Sequence, residues 1–197
     1  MGGAVCRTKL CLQDDADSAI APQYLVDING AHISTNKWYK IVLRDGNELG
    51  WGVVDQGRDG CAPVPAGHGF VIRYRRDQVE DKDHPVYGWP AGDKGWLKGY
   101  TMMTNGNKAF RHLSLSMDAP PILAWYDSND SYGFVAKQLP GYRVALYAYD
   151  KNHEVAGLKA QNMEGGQLIQ GTQGAYPIAL DCAFVEVGPF DENNMYF

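Results

Sequence analysis

The stretch His84-Pro85-Val86-Tyr87-Gly88-Trp89-Pro90-Ala91-Gly92-Asp93-Lys94-Gly95-Trp96-Leu97-Lys98-Gly99-Tyr100 gathers two indoles, two phenols and two ammonium groups among glycines and prolines. Flat aromatic rings stack on the C–H face of a sugar, sit at a lipid headgroup interface or anchor a protein contact. The candidate ligand-binding residues are therefore Tyr87, Trp89, Lys94, Trp96, Lys98 and Tyr100, with the lysines drawing anionic groups. A stretch so rich in turn formers does not fit one buried strand. Two alternatives stand for its indoles: an outward binding loop, or plugs folded back over an open end of the fold.

A second oxygen-rich cluster, Asp127, Asn129 and Asp130, has the ligand types calcium takes. Tyr132 stands where an EF-hand needs Gly, and no Glu follows at the bidentate distance. Asp45-Gly46-Asn47-Glu48 and Asp150, Asn152 and Glu154 have the same character. In all three, Asx turns use these residues without an ion. No other cofactor is implied.

Enzyme motifs are missing: there is no G-x-S-x-G, H-E-x-x-H or G-x-x-x-x-G-K-[ST]. The histidines (His32, His68, His84, His112, His153) are scattered singly. Cys61 and His68 would be a nucleophile and base only if the fold brought them together. Cys6, Cys11, Cys61 and Cys182 show no C-x-x-C spacing. Cys182 alternates with Ile178, Leu180 and Phe184, which predicts a buried thiol. A Cys61–Cys182 disulfide stays open at this point.

The net charge of −5 opposes nucleic-acid binding, since the cluster Arg73, Arg75 and Arg76 is followed at once by Asp77, Glu80, Asp81 and Asp83. No apolar run is long enough for a transmembrane helix, and Cys6–Leu12 is broken by Arg7, Thr8 and Lys9, unlike a signal peptide. The expectation is a cytosolic or non-classically released protein. Gly2 fits an N-myristoylation start, but Cys6 replaces the expected Ser or Thr.

The elements that must carry these residues are strands. Tyr24, Val26 and Ile28 alternate, as do Leu113, Leu115 and Met117. Trp38–Leu43, Leu49–Val54, Gly69–Tyr74, Trp96–Met103, Pro121–Tyr126, Tyr132–Lys137, Tyr142–Tyr149 and Tyr176–Val187 are β-branched or aromatic runs set off by Gly, Asn, Asp and Pro. Only Gln13–Ala21 suits a short helix. This spacing predicts an all-β antiparallel sandwich, with a barrel as second choice. Asp45–Gln56 maps without gaps onto Asp127–Gln138 at an offset of 82, and an Asp-x-Asn turn, a strand and a Pro-Gly turn recur. If that is duplication, the halves are 24–110 and 111–190. The expected organisation is an N-terminal extension over 1–22, a single domain over 23–190 and a tail over 191–197.

Short strands, Lys37-Trp38-Tyr39 and the aromatic–lysine loop resemble features of compact β-sandwich cytolysins and fruit-body lectins over less than half of the chain. No site is carried over from that resemblance.

The resulting expectation is a non-enzymatic, lectin-like or membrane-active (toxin-like) protein. Its partner is a glycan or lipid headgroup, with peripheral membrane contact and homo-oligomerisation supplying avidity. The alternatives are a self-assembling coat, inclusion or fibre subunit, or an enzyme with a dispersed site. The glycine and tyrosine richness and the end Asn193-Asn194-Met195-Tyr196-Phe197 favour the subunit.

Overall fold

A computed structural model of the protein describes residues 23–54, 58–77, 86–102, 108–126, 131–163 and 165–188. The expected extension over 1–22, its short helix and the tail over 191–197 lie outside these residues. The strands are β1 (Trp38–Leu43), β2 (Glu48–Val54), β3 (Arg58–Val64), β4 (Ile72–Arg75), β5 (Lys94–Met102) and β6 (Lys108–Leu115). They continue with β7 (Leu123–Tyr126), β8 (Phe134–Leu139), β9 (Arg143–Tyr149), β10 (Val155–Met163), β11 (Gly166–Thr172) and β12 (Leu180–Val187). All pair antiparallel within one twelve-stranded sheet. The all-β antiparallel expectation therefore holds.

The pairing closes on itself. Going round, β1 pairs β4, β4 pairs β5, β5 pairs β8, β8 pairs β9, β9 pairs β12 and β12 returns to β1. Closure removes the sheet edges that an open sandwich would expose. The two longest barrel seams have six pairs each: β1 on β12, from Trp38↔Val187 to Leu43↔Cys182, and β8 on β9, from Phe134↔Ala148 to Leu139↔Arg143. The other six strands form three hairpins: β2–β3, β6–β7 and β10–β11. The chain is thus three consecutive four-strand units, each giving two strands to the barrel and one hairpin beside it. The offset of 82 lays β2, a hairpin strand, over β8, a barrel strand.

Alternation explains the core. Tyr39, Ile41 and Leu43 of β1, Ile72 and Tyr74 of β4, and Cys182 and Phe184 of β12 point inward and are buried. Burying one such side chain contributes roughly 1.5–3 kcal/mol. The three hairpins share a small second cluster: Ala62 from β3, Leu168 from β11, and Ile122 just ahead of β7.

The turn chemistry follows the sequence. Asp45 Oδ1 accepts a hydrogen bond from Asn47 N at 3.0 Å, and Gly46 between them has φ +87°. Asp150 Oδ1 likewise accepts from Asn152 N at 2.8 Å and Glu154 N at 3.0 Å. Pro140-Gly141-Tyr142 forms a tight turn between β8 and β9, with Gly141 at φ +71° and Tyr142 at φ +60°.

Candidate functional site

Lys94 and Trp96 open β5, where the strand leaves β8 and joins β4: Lys94 pairs with Val135 and Trp96 with Arg75. On β5 the larger side chains Lys94, Trp96 and Lys98 alternate with Gly95, Leu97 and Gly99. Leu97 is enclosed in the barrel core, so the other set belongs to the opposite face. The segment 86–91 runs alongside. Its backbone bridges Ser34 through Gly88 and Tyr24 through Pro90. Tyr87 N donates to Thr35 Oγ1 at 3.1 Å, and Tyr87 O accepts from Thr35 N at 2.9 Å.

These elements form a cleft of about 520 Å³ whose lining includes Tyr24, Tyr74, Arg76, Tyr87, Lys94 and Trp96, together with Gly88, Pro90 and Asp93. Two glycines permit the arrangement. A Cβ on Gly88 would stand 2.7 Å from the Tyr24 ring. One on Gly95 would stand 2.6 Å from the Tyr74 ring and 2.9 Å from the Trp89 ring. Real Cβ atoms do not approach so closely.

The electrostatics are those of aromatic rings holding cations. Lys94 Nζ lies 5.2 Å from the Trp96 ring centre and 4.8 Å from that of Tyr149. The Arg76 guanidinium lies 4.8 Å from the Tyr87 ring centre. Burial lowers the Lys94 ammonium below the ordinary lysine range, because a partly dehydrated cation loses stability. Burial also pushes the Tyr74 phenol up to about 12, so it stays a neutral hydroxyl.

The predicted residues separate. Tyr87, Lys94 and Trp96 meet in the cleft. Trp89 does not face outward: it is wholly enclosed, stacked on Tyr74 at 4.8 Å and 7° and edge-on to Phe184 at 6.1 Å. Its Nε1 donates to Asp93 O at 3.1 Å, which satisfies its polar atom inside the fold. The plug alternative describes Trp89, and the half-buried state describes Trp96. Lys98 is buried, level with Arg73 on β4 and His112 on β6, and outside the cleft lining. Tyr100 lies on β5, its side chain outside the description. Asp127, Asn129 and Asp130 lie outside the described residues.

Three lining residues escaped the sequence reading. Tyr24 and Tyr74 read as strand positions, and Arg76 as part of a cancelled basic cluster. The signal that would have found them is the strand pairing, which no local pattern carries. Trp51 falls within the predicted strand Leu49–Val54. It is an exposed indole on β2, edge-on to Phe70 at 6.2 Å.

Cys61 and His68 do not form a reactive pair. Cys61 is wholly enclosed and its thiol is pushed well above the ordinary value by burial, whereas His68 sits on an exposed turn. Cys182 is buried with its thiol pushed up to about 12, as the alternation predicted, and neither cysteine is in a disulfide.

A six-strand barrel with three hairpins, built from three four-strand units, is a β-trefoil. Solved structures share it. Trypsin inhibitor 1 from Senna obtusifolia matches with a TM-score of 0.64 at 13% identity, over 86% of this chain and 92% of that one. The chlorophyll-b complex of the water-soluble chlorophyll protein from Brassica oleracea var. Botrytis matches at 0.61 and 12% identity, over 84% and 99%. The botulinum neurotoxin serotype C1 binding domain matches at 0.60 and 12% identity, over 85% of this chain and 47% of that one. At such identities the likeness establishes the fold. No protein-family model and no curated protein matches the chain.

Proposed function

We propose that this protein is a non-enzymatic binding protein that holds a glycan in the cleft between β4, β5 and the segment 86–91. One observation carries the reading: half-buried aromatic rings and two ring-held cations line a single concave space of about 520 Å³. Concavity with a few placed polar groups is what small-ligand sites share. A sugar ring offers C–H faces to Tyr24, Tyr87 and Trp96, and hydroxyls to the charged groups. The neighbours named for inhibition and for binding support a binding role on this fold.

The cleft favours a glycan over a membrane. A loop that enters lipid needs apolar side chains projecting from the surface. Here Trp89 is enclosed, Trp96 is half-buried, and Val86 is the one strongly exposed apolar residue of the described part of that loop. One such cleft gives modest affinity, so self-association would add avidity.

A glycan array run beside liposome flotation tests the proposal. Array binding without flotation is the expected result. Flotation on plain phospholipid vesicles with a silent array would overturn it.

A further inference from the structure

The cleft holds two cations, Arg76 and Lys94, neither in contact with a carboxylate of the described residues. Two other half-buried basic groups sit on acids: Lys40 Nζ is 2.9 Å from Glu48, and Arg143 Nε is 2.6 Å from Asp181. Among the described residues neither Arg76 nor Lys94 has an ion pair. Each is seated on aromatic rings instead, Arg76 over Tyr87 and Lys94 over Trp96 and Tyr149. Ring faces fix a cation's position without consuming its hydrogen-bond donors. Those donors remain for a partner. Asp93, exposed in the turn before β5, is the one acid among the described lining residues, which together carry a surplus positive charge.

Resting on the glycan reading and narrowing it, we propose that the cleft takes an acidic sugar: a pyranose lying against the aromatic side chains, with a ring carboxylate received by Arg76 and Lys94. A guanidinium presents its donors as a planar fork that matches the two oxygens of a carboxylate. A partly dehydrated ammonium gains most from an arriving anion, because the anion replaces the hydration it has lost. A neutral sugar would leave both needs unmet.

The test is calorimetric titration of the full chain with a galacturonic-acid trisaccharide and with its carboxyl-reduced counterpart, which has CH2OH in place of each carboxylate. A sulfated trisaccharide of equal charge and a broad glycan array complete the set. The acidic trisaccharide is expected to bind, and the reduced one to bind roughly tenfold or more weakly, the usual scale for hydrogen bonds to a charged group. Arg76→Gln and Lys94→Gln should each reduce that preference, and the double variant should erase it, while each protein still melts cooperatively within roughly 5 °C of wild type, the scale of a lost cation–ring contact. Equal binding of the acidic and reduced sugars would overturn the proposal and leave the glycan reading standing. Sulfated sugar binding as tightly as carboxylated sugar would overturn carboxylate recognition. If neither trisaccharide binds, array hits confined to carboxylated sugars support the proposal, and hits on neutral sugars overturn it. A silent array would remove the glycan reading along with it.

Discussion

His112 offers a quantitative handle on the cationic side of this fold. It is wholly buried on β6, level with Lys98 on β5 and Tyr126 on β7. Neither ring nitrogen has a hydrogen-bond partner within the described structure. Burial, with Lys98 and Arg75 adding repulsion, pushes its pKa from 6.5 down to about 4. The folded protein therefore holds the neutral ring, whereas the unfolded chain takes the proton near the ordinary value. Between those limits the unfolded state binds more protons, so stability falls as pH falls. With each tenfold step in proton affinity about 1.4 kcal/mol, the loss between pH 7 and pH 5 is about 2 kcal/mol. It levels off near 3 kcal/mol, in round terms, once the folded protein also protonates. Urea unfolding followed by tryptophan fluorescence, at several pH values, measures this directly. In His112→Phe the titrating group is gone and the aromatic volume is kept, so this part of the acid loss should vanish. Parallel pH profiles for wild type and His112→Phe would show that His112 is not held neutral by its surroundings.

Further outcomes follow from the same packing. Gly95→Ala forces a Cβ against the Tyr74 and Trp89 rings, and thermal melting should show a loss of about 1–3 kcal/mol, typical of overpacking. Trp89→Ala empties a fully buried site and should cost about 3–5 kcal/mol in denaturant unfolding. Glu48 is pushed up by burial, but hydrogen bonds from Lys40, Gly67 and Gly69 win and lower its pKa below 4.5. Its stabilising contribution is thus complete above that value and lost as pH falls through the folded pKa. Glu48→Gln should be less stable than wild type at pH 7 by chevron or urea analysis, and the gap should narrow toward pH 3.

The sequence spoke clearly where physics is local. Aromatic and β-branched runs marked β1 and β9, alternation marked β12, and Asp45-Gly46-Asn47 and Pro140-Gly141 became the turns expected of them. Closure into a barrel was less legible because it rests on long-range pairings such as Tyr39↔Ile72 and Lys94↔Val135. Local patterning is the same in a sandwich strand and a barrel strand. For the same reason the offset of 82 joined stretches alike in punctuation that serve different roles, one in a hairpin and one in the barrel. The candidate site was half legible. Tyr87, Lys94 and Trp96 could be picked out as aromatic and basic residues crowded among turn formers. Trp89 belongs to the same stretch, yet its indole turns inward, because Gly95 leaves room for it to stack on Tyr74. Tyr24 and Arg76 reach the cleft from strands and loops distant in the chain.

Trp96 lines the cleft, whereas Trp51, an exposed indole on a hairpin strand, lies outside it. Glycan binding compared among wild type, Trp96→Ala and Trp51→Ala separates the two. Binding that falls roughly tenfold or more in Trp96→Ala, as for an anchor residue, and persists in Trp51→Ala is the predicted result. Binding untouched by Trp96→Ala, or lost equally in both variants, would contradict the account.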